Sequence, residues 1–390
     1  GAIAEGVYTV LRNKTFFTQF ATAPNVSAMR RLALLGLGEA VGFESLGGLT
    51  EEENNWLQDV LHIDRALLPV RIRANLPDWL FDRLVVQVGE AETVAIADAM
   101  NRPAPLDLRV NSMKSNREDV MAQLATAPIL CTPTPFAPLG LRILQKPALQ
   151  NLPLFKSGAI EVQDEGSQLL AQIVGAKRGE MVVDFCAGAG GKTLAIGALM
   201  RNTGRLYAFD VSEKRLAKLK PRMARSGLSN VHPIQIAHER DAKIKRLAGK
   251  IDRVLVDAPC SGLGTLRRNP DVKWRQTPES LLELNAKQSA ILAGAARLLK
   301  AGGRLVYATC SLIDEENEGI VEQFLAAFPD FQLVPMQQVL QEQKIELEMG
   351  DYLKLLPHKH QTDGFFAAVL QRQAAPVKPV KNHEAEIDAD

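Results

Sequence analysis

The stretch Val183-Asp184-Phe185-Cys186-Ala187-Gly188-Ala189-Gly190-Gly191-Lys192-Thr193 reads as the end of a strand, a glycine-rich turn and the opening of a helix. Glycines let the backbone approach a ligand closely, and the helix N-terminus offers free N–H groups. Two phosphate-binding readings fail on spacing. A P-loop needs a glycine five residues before Gly191, where Cys186 stands, and the third glycine of a dinucleotide fingerprint falls on Thr193. What remains is a turn suited to a carboxylate and an ammonium group.

Working outward, strand-like and helix-like segments alternate from about residue 158. Candidate strands are Met181 to Asp184, Arg205 to Asp210, Val231 to Ile236, Arg253 to Asp257, Arg304 to Thr309 and Phe365 to Leu370, with helical segments such as Leu281 to Leu299 between most of them. This is the pattern of a Rossmann-like α/β domain, a mainly parallel sheet with helices on both faces. The second candidate strand ends in Asp210, an acid placed to accept both hydroxyls of a ribose. Together the turn and Asp210 predict an S-adenosylmethionine site formed by Cys186, Ala187, Gly188, Ala189, Gly190, Gly191, Lys192 and Asp210, with Asp257 in register on a later strand.

Residues 1–100 alternate apolar and charged positions at helical spacing and predict a helical domain. Residues 101–157 mix short apolar runs with prolines and predict a small α+β domain, residues 158–373 the methyl-transfer domain, and 374–390 a disordered tail rich in Pro, Lys and acids. With only four cysteines and no CxxC pair, a reducing cytoplasm is the expected setting. No apolar run is long enough to span a membrane. Net charge is a formal +1, but residues 201–275 carry 18 Lys/Arg against 7 Asp/Glu, which favours a polyanionic partner. The histidines give no metal spacing, and His358-Lys359-His360 reads as a surface loop. A monomer is expected.

Two cysteines end strands: Cys260 in Asp257-Ala258-Pro259-Cys260-Ser261-Gly262 and Cys310 in Tyr307-Ala308-Thr309-Cys310-Ser311. An aromatic pyrimidine carbon is a poor nucleophile toward a methyl sulfonium. A thiolate added at the neighbouring ring carbon makes the base enamine-like, and the chemistry also needs an acid at the ring nitrogen and a later base for the displaced proton. Enzymes that methylate exocyclic amines need no such thiol; they carry an Asn/Asp-Pro-Pro-aromatic turn where this chain has Asp257-Ala258-Pro259-Cys260. These two motifs and the Gly-Gly-Lys-Thr turn resemble the RNA cytosine-5 methyltransferases of the Nop2/Sun/RsmB family. Further matches are Leu108-Arg109-Val110-Asn111, Gln163-Asp164-Glu165-Gly166-Ser167-Gln168, Arg267-Arg268-Asn269-Pro270-Asp271 and Asp363-Gly364-Phe365-Phe366, so that the resemblance covers about residues 100–372.

The resemblance implies that Cys310 is the attacking thiolate, that Cys260 helps release the product, that Asp257 binds the cytosine edge, and that Lys192 supports the site by contacting Asp257 or the base. It also implies an RRM-like small domain and, as in ribosomal small-subunit members, a NusB-like helical domain. The chain departs from the family twice: Ala189 replaces a usual proline, and His238 stands where an acid contacts the adenine edge, with Glu239 and Asp241 as nearby alternatives. Arg109, Arg267, Arg268 and Lys273 are candidate RNA contacts, with Trp274 among them expected to be core. The target cytosine must be single-stranded, looped or flipped out to reach a thiol, and ribosomal RNA is the expected substrate. The competing readings are a tRNA methyltransferase and a non-catalytic RNA-binding assembly factor.

Overall fold

The computed structural model describes residues 1–20, 26–145 and 147–374, so the expected tail lies outside it but for Ala374. Two sheets organise the chain. The first contains β1 (Leu106–Val110), β2 (Cys131–Pro133), β3 (Gly140–Ile143) and β4 (Ile160–Val162) in the order β2-β3-β1-β4, every pairing antiparallel. With helices at Arg117–Thr126 and Pro153–Lys156 the element order is βαββαβ, the split arrangement of ferredoxin-like domains. β4 lies beyond the expected boundary at 157/158, because its pairing with β1 keeps residues 160–162 in the small sheet.

The second sheet holds β5 (Met181–Asp184), β6 (Arg205–Asp210), β7 (Val231–Gln235), β8 (Ile251–Asp257), β9 (Leu299–Thr309), β10 (Phe331–Val334), β11 (Leu353–Leu355) and β12 (Phe365–Arg372). Its order is β10-β12-β9-β8-β5-β6-β7, with β11 pairing β12. The pairings from β9 through β7 are parallel, and those of β10, β11 and β12 are antiparallel. All six expected strands are present. The short β10 and β11 add an antiparallel edge, and β9 starts at Leu299 because the helix before it, Pro278–Ala296, ends earlier than expected.

Burial on both faces explains why these strands read as continuous apolar runs. Val182, Leu255 and Val306 enter one core layer; Val183, Val254, Val256, Leu305 and Tyr307 enter the other. The strand order reverses at β5, whose neighbours are β6 and β8, and in such sheets ligands bind beyond the carboxyl ends of the strands at that point.

The N-terminal helices divide between two cores. Phe16, Phe17, Leu34, Leu35, Leu57 and Val60 pack among themselves. Leu76, Leu80, Phe81, Leu84, Ile96 and Met100 instead share a core with Leu263, Leu266, Val272, Leu312 and Ile313, residues that follow the two cysteine motifs. The helices from residue 70 to 100 are thus the apolar backing of those loops. No helix among the described residues is long and apolar enough to cross a membrane.

Candidate active site

The carboxyl ends of β5, β6, β8 and β9 bring the predicted residues together. The turn after β5 is shaped by contacts that demand small residues: a Cβ at Gly190, whose φ is +86°, would lie 2.1 Å from the Leu219 side chain. Ala187 N donates to Phe209 O at 2.8 Å and Gly188 N to Asp210 Oδ2 at 2.8 Å, which ties the turn to the end of β6. Arg222 donates to Ala189 O at 2.6 Å, holding the position that lacks the usual proline. A Cβ at Gly188 would meet nothing within 4 Å, so the turn leaves room for a ligand. Asp210 is buried, and its Oδ1 accepts Ser212 N at 2.7 Å. Two backbone donors occupy roughly half of a carboxylate's lone pairs, leaving capacity for two hydroxyls.

In the sequence Asp184 reads only as the last position of a strand, and its burial beside the turn shows in the structure alone. It is 1% exposed, accepts from Thr193 Oγ1 at 2.7 Å through one oxygen, and has no protein partner for the other. Burial pushes its proton affinity up to about 7. An unpaired buried oxygen under the turn fits an ammonium-bearing ligand. The donor set at the turn and at Asp210 therefore fits S-adenosylmethionine. His238 is exposed and its Nδ1 accepts Arg240 N at 3.1 Å, whereas Asp241 uses both carboxylate oxygens on Ala237 N and Lys243 N.

Lys192, on the first turn of the helix Gly191–Leu199, reaches Asp257 at the end of β8 with Nζ 2.7 Å from Oδ2. Burial alone would lower the Lys192 proton affinity, but the Asp257 charge and hydrogen bond outweigh it and the net shift is upward. The ammonium sits 5.7 Å from the centroid of the Phe365 ring. The two sulfurs, Cys260 Sγ and Cys310 Sγ, are 3.4 Å apart, and Cys310 N donates to Cys260 Sγ at 3.3 Å. The hydrogen bond to Cys310, reinforced by burial, pushes the Cys260 thiol well above its ordinary value. All four cysteines are free thiols, and Cys186, raised by burial, lies behind the turn. A second close approach fixes the loop after Cys260: Gly264 N donates to Cys310 O at 2.8 Å, and a Cβ at Gly264 would fall 2.1 Å from Gly364 O.

The chain matches the family described as 16S rRNA methyltransferase RsmB/F over residues 171–371, and residues 76–150 match the ferredoxin-like domain of the same family. It belongs to the RsmB/F methyltransferase family. S-Adenosylmethionine is its cofactor and RNA its substrate class. It is 38% identical to a probable ribosomal RNA small subunit methyltransferase B of Synechocystis sp., over 80% of this chain and 70% of that protein. Against the Bacillus subtilis protein of the same description the identity is 33%, over 76% and 66% of the two chains. The chain thus spans about two thirds of the length of these relatives. Among solved structures, a methyltransferase homolog from Pyrococcus horikoshii is 30% identical, with a TM-score of 0.68, covering 80% of this chain and 100% of that one.

Of the candidate RNA contacts, Arg109, Arg267 and Lys273 are buried, and Arg268 is partly exposed. In this RsmB/F-family chain Arg109 is 4% exposed and donates to Gln163 Oε1 at 2.6 Å, bracing the small sheet beside the cofactor turn. Arg267 is 6% exposed beside Asp363, and Arg268 bonds Asp363 at 2.5 Å and Asp164 at 3.0 Å. Lys273 is fully buried, with Nζ 2.8 Å from Asn101 Oδ1 and 3.2 Å from Arg12 O. Trp274 packs on the protein as expected, its Nε1 donating to Leu11 O at 2.7 Å. The loop after the Pro-Cys turn is covered by helices and strands far away in sequence, so Arg267 and Lys273 are consumed as internal braces, whereas the Arg268 side chain stays 33% exposed and that of Arg275 69% exposed. His358-Lys359-His360 lies in a short helical turn, Pro357–His360, rather than a loop; His358 Nε2 lies 3.0 Å from Glu92, His360 Nδ1 accepts Leu356 N at 2.9 Å, and Lys359 is exposed. Among the described residues no group of three or more His, Cys, Asp or Glu is arranged to hold a metal.

Proposed function

We propose that this protein methylates carbon 5 of a cytosine in ribosomal RNA through a covalent cysteine adduct. The observation that carries the reading is the contact of two sulfurs, 3.4 Å apart, next to the Lys192–Asp257 pair. Pairing of a cytosine-binding acid with two thiols is what addition, methyl transfer and elimination require, and exocyclic-amine methylation would use none of it.

In this mechanism Cys310 attacks C6 of the flipped-out cytosine, its thiol proton passing by way of Asp257 to N3. Asp257, with its side chain 29% exposed, hydrogen-bonds the N3/N4 edge, and the Lys192 ammonium balances the charge there as electrons move from the new C–S bond into the ring. S-Adenosylmethionine, when bound, supplies the methyl group that C5 takes up. Cys260, after losing its thiol proton to solvent as the one proton the net reaction releases, acts as the base for the C5 proton. The electron pair of that C–H bond restores the C5–C6 double bond as the Cys310 sulfur leaves and takes back the N3 proton through Asp257. Of the two sulfurs, the resemblance of the Thr309-Cys310 motif to the family makes Cys310 the attacker and Cys260 the residue that helps release the product. The cytoplasm and action as a monomer belong to the same reading, as does His238 at the adenine edge.

The test separates the two sulfurs. Cys310→Ala should abolish methyl transfer and form no RNA adduct. Cys260→Ala should still attack and methylate but trap the RNA in a denaturant-resistant, slowly migrating complex. A trapped adduct in the Cys310 variant alone would reverse the roles, and full activity in both would end the covalent reading. Bisulfite sequencing of total RNA from cells with and without the protein identifies the cytosine. Loss of methylation in a tRNA rather than ribosomal RNA would overturn the substrate assignment.

A further inference from the structure

Cys260 and Cys310 belong to loops from different strands, joined by the Cys310 N–Cys260 Sγ and Gly264 N–Cys310 O bonds, neither of which holds the residue that follows each cysteine. Glu316 lies between them, 0% exposed, on the short turn Asp314–Glu316. Its Oε1 accepts Ser261 N at 2.8 Å and Gln288 Nε2 at 3.0 Å, and its Oε2 accepts the Ser311 hydroxyl. Ser261 directly follows Cys260 and Ser311 directly follows Cys310. One carboxylate thus bonds both loops at the position next to each sulfur, and the two serine hydroxyls lie 3.1 Å apart.

The neighbouring atoms extend the clamp. Gln288 Nε2 also donates to Pro259 O at 3.1 Å, and Tyr307 donates from its hydroxyl to Glu316 O at 2.6 Å. Asn317 accepts Thr309 Oγ1 at 2.5 Å and donates to Ser311 O at 3.2 Å, fixing the residues on either side of Cys310. Burying a carboxylate on neutral donors is costly, and it persists only where those donors are well aimed.

We propose that Glu316 is a positioning residue that sets the separation of Cys260 and Cys310 by bonding the residue after each cysteine. It touches neither sulfur through its side-chain hydrogen bonds and acts through Ser261 and Ser311. The proposal rests on the two-cysteine reading above for its consequence in catalysis, but its structural claim does not. A glutamine at 316 can keep the clamp, with Oε1 accepting as before and Nε2 donating to Ser311 Oγ, whose proton turns to Ser261 Oγ. An alanine cannot.

The experiment reads the separation directly. Diamide oxidises two adjacent thiols to a disulfide and is itself reduced to the hydrazine, taking up two electrons and two protons. The rate at which the full-length protein forms the 260–310 disulfide, followed by peptide mass spectrometry, needs no RNA and no methyl transfer. In Glu316→Ala, misplacing the sulfurs by about 1 Å should slow cross-linking about tenfold or more and lower kcat for methyl transfer about a hundredfold, with KM for RNA and S-adenosylhomocysteine affinity within about threefold of wild type. Glu316→Gln should return cross-linking to within about threefold of wild type by the same positioning argument. Cross-linking at the wild-type rate in Glu316→Ala overturns the proposal, as does a Gln variant as slow as the Ala one. If Glu316→Ala does not fold, Ser311→Ala removes the hydroxyl that joins the carboxylate to the Cys310 loop. Slowed cross-linking in that variant supports the proposal, and an unchanged rate overturns it. Intact cross-linking control by Glu316 in a protein that methylates no cytosine would sink the reaction and leave the clamp standing.

Discussion

Asp210→Ala probes the cofactor site in two separable ways. The carboxylate ends β6, is 4% exposed, and accepts Gly188 N at 2.8 Å and Ser212 N at 2.7 Å. Its remaining lone pairs are those available to the ribose hydroxyls. Hydrogen bonds to a charged acceptor contribute about 1.5–3 kcal/mol each, so losing two, partly offset by water entering the vacated space, should weaken S-adenosylhomocysteine binding by about 2–4 kcal/mol. That is a Kd increase of roughly thirty- to a thousandfold, since about 1.4 kcal/mol is tenfold. The unliganded protein should suffer as well, because Gly188 N and Ser212 N both lose their acceptor. Each orphaned donor costs about 1–3 kcal/mol, less where solvent reaches it, and the loss should appear as a lowered urea midpoint at unchanged m-value. Titration calorimetry and urea unfolding on the same preparation separate the two effects. Unchanged affinity would move the ribose elsewhere, and unchanged stability with lost affinity would mean that the Gly188–Asp210 bond does not organise the turn.

Two further outcomes follow from charge. RNA affinity should fall steeply with salt, and replacing the exposed Lys214, Lys218 and Lys220 of the Glu213–Ser226 helix by alanine should reduce the log–log salt slope by roughly 2, at about 0.7 per single-strand phosphate contact; an unchanged slope would take RNA off that helix. Burial, helped by the nearby Arg12 charge, lowers the Lys273 proton affinity from 10.5 to about 7, so between those pH values the folded protein binds fewer protons than the unfolded chain. Stability from this group should therefore rise with pH across that window, by at most about 1.4 kcal/mol per pH unit, and be lost as pH falls through about 7. The urea-midpoint difference between wild type and Lys273→Met, followed from pH 6.5 to 9, should carry that slope; a constant difference would show that the amine does not titrate there.

Strand composition, turn glycines and the acid ending β6 depend on local backbone and on burial on both faces of a sheet, so they were legible along the chain. Met181–Asp184 and Arg205–Asp210 end where they were expected, and the cysteine motifs fall at the ends of β8 and β9. The short antiparallel β10 and β11 were missed because strands of four and three residues carry too little pattern to be told from loops. Glu316 was invisible for a related reason. In Asp314-Glu315-Glu316-Asn317-Glu318 it looks like one position of a solvated acidic run, and nothing local says that this carboxylate alone is fully enclosed.

By itself the sequence determined the six longer strands, the glycine-rich turn and the candidate side chains at the strand ends, because these rest on patterns within ten or so residues. Only the tertiary structure decided where the positive charges go. Arg267, Arg268 and Lys273 read as a basic loop, yet Asp164, Asp363, Asn101 and the carbonyl of Arg12 claim them from up to 261 positions away. A long cationic side chain looks the same in sequence whether it meets phosphate or an internal carboxylate, and only packing of distant elements against its loop selects between them. The same holds for the two sulfurs. Their 50-residue separation along the chain becomes 3.4 Å only because β8 and β9 pair in parallel with Asp257 opposite Ala308, which brings both strand ends to one edge of the site.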